Sequence, residues 1–310
     1  TAHSCADFVR RDHKDPFALV ASFINPHDIC YMAIRDSIGT EYEDGRAART
    51  VERGRVETET LDEALAAAEG ISKTEFMERH CPPLPDNYQP QEEEPEAIRD
   101  LLAQRPFRLH AREQYTDEQW RMHRWAYAKL TERVDREIGI LLDALRDSGR
   151  DRDTLVVFTS DHGDHDASHQ LEHKTVPYAE AARIPLVVRP PGGVPLARVD
   201  AEHLVSNGLD VLPTLCDYAR GTVPPDLQGR SVRPLVEGTA PPDWRAALKI
   251  ESENCVSVHT RDYQYMLFDD GENREQFYDL TADPGQTRNH LNDPGLSEQV
   301  ERHRRRASEL

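Results

Sequence analysis

The sequence predicts an α/β fold: a mainly parallel sheet flanked by helices, followed by a small C-terminal antiparallel sheet with a helix. A helical periodicity over residues 116–148 precedes one apolar run at 155–158, and a second apolar run at 184–189 ends at a Pro-Gly turn. Helices alternating with buried strands in this way are typical of a parallel sheet. Four short β-prone runs after Trp244, ahead of an arginine-rich helical segment, predict the smaller sheet.

The region before the long helix is predicted to hold one buried strand and a polar insertion. Residues 16–23 (PFALVASF) form an apolar, β-prone run that predicts a buried strand, with the polar INPHDIC at its end. Residues 33–109 are acidic and proline-rich, so we expect a surface excursion with two short helices, LDEALAAAEG and EAIRDLLAQ. The predicted domains are an α/β core over residues 1–235, which carries this insertion, and an α+β subdomain over residues 236–310.

A long amphipathic helix is the clearest single element. Between residues 116 and 148 apolar side chains recur three or four positions apart, and Gly149 offers a stop. These side chains are Tyr127, Leu130, Val134, Ile138, Leu141 and Leu145. We expect this helix to pack and to carry no chemistry. Another helix is expected over residues 208–219 (GLDVLPTLCDYA).

Composition excludes several kinds of protein. The chain has 310 residues, 37% hydrophobic and 31% charged, which is typical of a globular protein. Its formal charge of −19 argues against a nucleic-acid partner, because phosphate binding needs a basic face. No apolar run reaches the roughly 18 residues that span a bilayer. No signal peptide is visible after Thr1, but a segment before Thr1 could have carried one, so the compartment stays open, with periplasmic and secreted locations included. Five scattered cysteines predict neither a disulfide framework nor a structural zinc site.

Residues 160–174, SDHGDHDASHQLEHK, combine four histidines with three aspartates directly after a predicted core strand. A solvated polar loop is one interpretation of this composition. A helical zinc site is another, since His165, His169 and His173 lie four positions apart, although no HExxH pattern is present.

A third interpretation makes Asp161 and His162 ligands of a divalent metal at the strand end. Gly163 would let the backbone turn sharply, and Lys174 would return a cation to the same place. A metal and an ammonium together suit an oxyanion, because the metal polarises the ester oxygens while the ammonium neutralises developing charge.

Four blocks in order resemble the sulfatase family of the alkaline phosphatase superfamily. The central block is VVFTSDHGDHDASHQLEHKTVPYAEAARIPLVVRPPG, where the family has a strand, S-D-[HN]-G, a downstream lysine, [YF]-E-x-x-x-R-[VI]-P-L and a P-G turn. PFALVASFINPHD precedes it, LDVLPTLCDYAR follows it, and TRDYQYMLFDD with QFYDLTADPGQTRNHL closes the series. The resemblance covers most of the chain apart from residues 33–109. It implies an alkaline phosphatase-like fold and hydrolysis of sulfuric esters.

The resemblance also implies a role for each matching residue. Asp161 matches the aspartate that binds the divalent cation, usually calcium, and His162 takes the adjacent ligand position, where a histidine keeps magnesium, manganese and zinc open. Lys174 matches the lysine that contacts the sulfate. His27 matches the histidine near the sulfate and leaving-group oxygens, where it could hydrogen-bond or deliver a proton. Lys174 and His27 are therefore assigned as catalytic and substrate-binding, and His169, near a histidine common in this loop, as substrate-binding.

The nucleophile of this family is missing from the sequence. Sulfatases use a formylglycine made from the Cys or Ser of a C/S-x-P-x-R motif, and residues 1–310 contain none. CPPLP at residues 81–85 ends in proline and follows NPHD, so it does not qualify. The resemblance implies that Thr1 is an interior position of a longer sulfatase. Its N-terminal part would carry the formylglycine, paired metal-binding aspartates and the first strands.

This implied division has consequences for the chain as given. A site with only two protein ligands binds a metal weakly. Strands that lack their neighbours in the sheet leave their hydrogen-bonding edges exposed. We therefore expect the chain alone to be inactive and to associate with a complementary N-terminal segment. The expected substrate of the intact protein is a sulfated glycan or a small molecule such as an aryl sulfate. Two alternatives stay open: a phosphodiester or phosphonate hydrolase of the same superfamily, and a non-catalytic half-sulfatase that binds an anion or carbohydrate.

Overall fold

The computed structural model describes residues 1–193 and 197–309. The helices are α1 Ala2–Arg10, α2 Cys30–Asp36, α3 Ala47–Arg53, α4 Arg55–Ala66, α5 Lys73–Glu75, α6 Glu96–Ala103, α7 Pro106–Gln114, α8 Asp117–Asp147, α9 Ala179–Ala182, α10 Asn207–Tyr218, α11 Arg233–Glu237 and α12 Ser297–Glu309. The strands are β1 Val156–Thr159, β2 Leu186–Arg189, β3 Leu248–Glu251, β4 Cys255–His259, β5 Tyr263–Phe268 and β6 Glu275–Asp279. Of the helices in the described ranges, none is long and apolar enough to cross a bilayer.

The chain forms two compact units that interleave in sequence. The first unit comprises Thr1–Gln89, Asp100–Asp151 and Asp166–His173. The second unit comprises Pro90–Arg99, Arg152–His165 and Lys174–Leu310. The predicted domain boundary near residue 235 stays a prediction.

The first unit is built on α8, which confirms the helix predicted for residues 116–148. A capping box starts it: Thr116 Oγ1 accepts from the Gln119 backbone N–H at 3.3 Å, and the Gln119 side chain accepts from the Thr116 N–H at 3.0 Å. Leu130 and Leu145 of the predicted apolar face are buried. Helices α1 and α4 pack against α8, so the long helix supports the unit as expected.

Residues 33–109 are more helical and more buried than predicted. Both expected short helices are present, within α4 and as α6, and α2, α3 and α7 add to them. Leu61 on α4 is fully buried in a cluster that also contains Ile29 and Leu130. The acidic residues of an amphipathic helix face water while its apolar stripe packs. A segment of polar composition therefore still contributes to a core.

The buried strand predicted at residues 16–23 is absent, and this prediction was wrong. The segment has neither helix nor strand, and Val20 within it is 88% exposed. Phe17 packs edge-on against Phe8 of α1, with ring centroids 5.1 Å apart. An apolar run becomes a strand only when a neighbouring strand pairs with its backbone. None of the six strands described pairs with this one.

Strands β1 and β2 form a two-stranded sheet in the second unit. They run antiparallel, which corrects the parallel direction predicted for them. Val156 lies opposite Arg189, and Thr159 lies opposite Leu186. The segment between the two strands brings the chain back to the same end of the sheet at which β1 finished. An antiparallel pair therefore needs no crossover from one end of the sheet to the other. Phe158 is 42% exposed and Val187 is 58% exposed. These apolar runs are therefore less buried than their composition predicts.

The predicted C-terminal antiparallel sheet with a helix is confirmed. Its strand order is β3-β4-β5-β6, with every neighbouring pair antiparallel. Helix α12 packs on β4 and β5, and Val300 joins Tyr265 and Phe277 in a buried cluster. The helix expected over residues 208–219 is α10.

A buried ion pair ties α10 to the chain that follows it. Asp210 is 0% exposed, and Arg245 donates to both of its carboxylate oxygens. The backbone N–H groups of Ser206 and Arg230 also donate to Asp210, each at 2.8 Å. Four donors therefore compensate the desolvation of one carboxylate.

Replacing this carboxylate should destabilise the second unit strongly. We expect Asp210→Ala to lower the free energy of unfolding by about 3–5 kcal/mol, because it leaves the Arg245 guanidinium buried without its counter-charge. Urea unfolding followed by tryptophan fluorescence measures this, since Arg245 lies 5.4 Å from the Trp244 ring. The control is Glu202→Ala, which breaks the exposed Arg261–Glu202 pair and should change stability by under ~0.5 kcal/mol. Equal effects of the two variants would contradict the expectation.

Candidate metal and oxyanion site

The loop after β1 presents Asp161 and His162 to solvent in the second unit. Asp161 follows the strand end at Thr159, as predicted. The carbonyl of Ser160 accepts from Asn207 Nδ2 at 2.7 Å, and its hydroxyl donates to the His162 carbonyl at 2.7 Å. The loop is thereby attached to the start of α10. This attachment fixes the backbone on both sides of Asp161.

The two side chains place an oxygen and a nitrogen close together. His162 Nε2 lies 3.3 Å from Asp161 Oδ2. His162 Nδ1 lies 2.8 Å from the Gly163 carbonyl, so Nδ1 is the donor and a neutral ring keeps the lone pair on Nε2. Two ligands at a right angle, each roughly 2.1–2.4 Å from a metal, lie about 3.0–3.4 Å apart. The pair therefore fits two neighbouring positions of a coordination shell.

Local charge keeps Asp161 ionised. Partial burial by itself raises the pKa of this carboxyl. The charge that His162 carries when its ring is protonated, backbone N–H groups of His162 and Asp161, and the charge of Lys174 outweigh burial, so the pKa of Asp161 lies below its ordinary value. An ionised, 83% exposed carboxylate is suited to a hard cation.

Lys174 supplies an uncompensated positive charge. Its side chain is half-buried, and within the described ranges it forms neither a hydrogen bond nor an ion pair. Its charge nevertheless contributes to the lowered pKa of Asp161. A chain of net charge −19 repels anions at long range, so an anion needs such a local positive group.

The described residues do not complete a metal shell by themselves. In residues 1–193 and 197–309, no three His, Cys, Asp or Glu side chains converge in a way that could hold a metal ion. The segment that carries His165, His169 and His173 is not a helix and contains one turn of 3₁₀ helix, Ser168–Gln170. The four-residue spacing therefore does not produce the face that a helical zinc site needs.

Gly163 is required by close packing. A Cβ built on it would lie 1.9 Å from the Glu180 carbonyl oxygen of α9. The Gly163 N–H donates to the Ala181 carbonyl at 2.9 Å. The residue has no left-handed φ, so close approach of α9, more than a sharp turn, explains the glycine.

Buried glutamines hold α9 and the preceding residues to the C-terminal sheet. Gln264 on β5 donates to the Pro177 carbonyl at 2.6 Å. Gln286 donates to the Gln264 side-chain carbonyl, and its own carbonyl accepts from the Ala179 N–H at 2.6 Å. Both glutamines are 0% exposed. The segment that links Lys174 to α9 is thus anchored to β5.

His27 and His169 lie in the first unit. His27 is exposed at the start of a 3₁₀ turn, His27–Ile29, and its ring centroid lies 6.1 Å from that of His173. His169 is 1% exposed. Its N–H donates to the Asn87 carbonyl at 2.8 Å, and its carbonyl accepts from Arg112 at 3.0 Å. The substrate-binding roles of both histidines stay predictions.

Residues 166–173 have an unusual backbone. Five non-glycine residues there have positive φ: Asp166 (45°), Ala167 (80°), His169 (55°), Gln170 (51°) and His173 (69°). Left-handed backbone is unfavourable for residues with a Cβ. External contacts such as those of Asn87 and Arg112 with His169 must therefore hold the segment.

The structure supports the rejection of Cys81 as a nucleophile. Its side chain is buried, and this burial raises the pKa of the thiol by more than Arg121 and Arg124 lower it. The Cys81 carbonyl accepts from Arg121 at 2.9 Å. A protonated, buried thiol is a poor nucleophile.

Sequence reasoning missed four residues that hold these segments: Asn87, Arg112, Gln264 and Gln286. Asn87 lies in the region predicted as a surface excursion, and Arg112 lies just after it. Gln264 had a usable signal, since a polar side chain inside the apolar run YQYMLF is unusual. Gln286 had none.

This architecture, with its C-terminal antiparallel sheet, belongs to the α/β class with an alkaline phosphatase-like fold. Residues 2–222 match the sulfatase family model, and residues 167–310 match the C-terminal model of N-sulphoglucosamine sulphohydrolase. The chain belongs to the sulfatase family. Membership implies a divalent metal and confirms the resemblance found in the sequence.

Two of three similar proteins match nearly the whole chain, one matches half of it, and all three are longer. Delta 4,5-hexuronate-2-O-sulfatase of Bacteroides thetaiotaomicron is 25% identical over 316 residues, which cover 98% of this chain and 58% of the relative. N-acetylglucosamine-6-O-sulfatase of the same organism is 33% identical over 167 residues, covering 50% and 30%. The solved structure of a 2-O GAG sulfatase has a TM-score of 0.78 at 25% identity, covering 99% and 63%. The chain spans less than two thirds of the length of each.

Gly163 allows a direct test of the packing that positions the loop. We expect Gly163→Ala to lower the free energy of unfolding by about 1–3 kcal/mol, because the new methyl group must displace the α9 backbone. Gly139→Ala in α8 is the matched control. A Cβ at Gly139 meets nothing within 4 Å, so alanine there should stabilise by about 0.5–1 kcal/mol. Urea unfolding of both variants is the measurement, and a neutral Gly163→Ala would refute the packing argument.

Proposed function

We propose that the complete protein hydrolyses a sulfuric ester on a sulfated carbohydrate, and that this chain supplies part of its active site. The observation that carries the proposal is the uncompensated Lys174 ammonium, whose charge lowers the pKa of Asp161. Family membership supports the reaction. Relatives named as a hexuronate-2-O-sulfatase and an N-acetylglucosamine-6-O-sulfatase support a sugar substrate.

Each predicted site residue has a role in this proposal. Asp161 and His162 are two ligands of a divalent cation, for which we propose calcium ahead of magnesium, manganese or zinc. Such a cation polarises the ester oxygens when bound. Lys174 binds the sulfate and neutralises charge that develops in the transition state. His27 donates a proton to the leaving-group oxygen, and His169 contacts the substrate.

The proposed nucleophile is a formylglycine outside residues 1–310. No C/S-x-P-x-R motif is present in these residues, and the buried Cys81 does not replace it. The chain by itself is therefore proposed to be inactive.

Sulfate release from 4-nitrophenyl sulfate and from sulfated disaccharides tests the proposal. The chain alone should show no turnover. The complete protein should turn over, lose activity with a chelator and regain it with calcium. Lys174→Ala should lower kcat/KM by about 10²-fold to 10³-fold, the usual cost of removing one electrostatic stabiliser. Lys249→Ala is the control, because Lys249 is already paired with Glu251 at 3.2 Å.

Three outcomes would overturn parts of this proposal. Turnover by the chain alone that Asp161→Ala abolishes would refute its inactivity. Faster hydrolysis of a phosphonate or phosphodiester than of a sulfate would reassign the reaction. Tight binding of a sulfated sugar by the complete protein without turnover would make it a binding module.

We further propose that a complementary N-terminal segment covers the β1–β2 sheet. Among the strands described, β1 and β2 pair only with each other, and Phe158 and Val187 remain largely exposed. Exposed edges with apolar side chains favour association.

The chain alone should therefore self-associate through this sheet. Size-exclusion chromatography should show oligomers for the parent chain and a monomer for the Phe158→Ser/Val187→Ser variant. Val199→Ser is the control, since Val199 is 94% exposed but lies in no strand. The complete protein should elute without these oligomers. A monomeric parent chain would contradict the proposal.

A further inference from the structure

The exposed His27 ring contacts two residues of the first unit for which the proposed function has no role. His27 Nδ1 lies 3.9 Å from Cys30 Sγ, within range of a hydrogen bond to sulfur. The His27 and His173 rings are inclined at 63°, with centroids 6.1 Å apart. The Cys30 thiol thus lies at one ring nitrogen of His27, and the His173 ring packs against the imidazole.

The Cys30 contact bears on which nitrogen carries hydrogen. Cys30 is 4% exposed and sits three residues after His27, at the start of α2. A thiol is a weak donor, whereas an imidazole N–H is a strong one. The direction of the contact depends on the tautomer, and Nδ1–H is the stronger of the two possible donors to it. In that tautomer the neutral ring carries its lone pair on Nε2, because the partner of one ring nitrogen sets the state of the other.

His173 is held rigidly enough to orient a neighbouring ring. It is 8% exposed, and its Nε2 lies 3.6 Å from Glu172 Oε2. The Glu172 side chain is 1% exposed and pairs through Oε1 with Arg108 Nε at 3.3 Å. Phe107 packs against the His173 ring with centroids 6.1 Å apart. A buried ion pair and an aromatic contact therefore keep this imidazole in one place.

We propose that Cys30 and His173 are positioning residues for His27: Cys30 holds hydrogen on Nδ1, and His173 prevents the ring from rotating. The positioning of His27 does not depend on the proposed function; only the catalytic purpose of that positioning rests on it. As an incoming nucleophile bonds to sulfur and the S–O bond to the leaving group breaks, the proton on Nε2 of the His27 imidazolium passes to the leaving-group oxygen. The ring becomes neutral imidazole with Nδ1–H retained against Cys30.

Long-range ¹H–¹⁵N spectra of the chain with ¹⁵N-labelled histidine test the positioning directly, without any turnover. The loss of signals in His27→Gln assigns the ring. At a pH where the ring is neutral, we expect a protonated Nδ1 and an unprotonated Nε2. Cys30→Ala should shift this ring towards the Nε2–H form. His173→Ala should average the two forms, whereas His173→Phe, which keeps a ring in place, should not.

Controls separate positioning from a loss of structure. His80→Ala removes an exposed histidine of the same unit and should leave the His27 signals unchanged. If His173→Ala reduces the folded fraction, the milder His173→Gln takes its place. A parent His27 with hydrogen on Nε2, or signals that neither Cys30→Ala nor His173→Gln alters, would overturn the inference.

Kinetics of the complete protein separate this inference from the proposed function. Cys30→Ala should lower kcat by about tenfold for an alkyl sulfate, whose leaving group needs a proton. It should change kcat little for 4-nitrophenyl sulfate and leave KM unchanged for both. The predicted spectra in a protein that hydrolyses no sulfate would support the positioning of His27 and refute its proposed catalytic role.

Discussion

The positions of the second unit's loops depend on the hydrogen bonds of two fully buried glutamines. Gln264 and Gln286 bond to each other and to the backbone at Pro177 and Ala179. A buried amide without partners costs about 1–3 kcal/mol, so these groups tolerate few alternative arrangements. Because α9 follows directly and meets Gly163, the C-terminal sheet defines the position of the loop that carries Asp161.

The same arrangement explains how a strongly acidic chain can present an anion-binding group. Lys174 is attached to the anchored segment and not to a flexible surface stem. The half-buried Lys174 ammonium lowers the pKa of the exposed Asp161 carboxylate. The Asp161 carboxylate and the Lys174 ammonium therefore influence one another without forming an ion pair. Both remain available to ligands, which an ion pair would prevent.

Patterns within a short stretch of sequence predicted the structure well, and pairings between distant stretches were not predictable. The period of α8, the four C-terminal strands and the strand-end position of Asp161 all follow from local alternation and turn residues. Residues 16–23 have the composition of a strand, yet their conformation depends on a partner that their own sequence does not specify. The direction of the β1–β2 pair and the hydrogen bonds of Gln286 likewise depend on residues far away in the chain.

The left-handed residues between Asp166 and His173 limit how far this motif can be separated from its surroundings. Each such residue costs roughly 1–2 kcal/mol in an unsupported backbone. Contacts from Asn87 and Arg112, remote in sequence, offset that cost. The conformation of residues 160–174, from SDHG to the lysine, consequently depends on residues outside the segment. Transplanted onto another scaffold with its own residues alone, it would relax to ordinary backbone angles and lose the geometry that its sequence suggests.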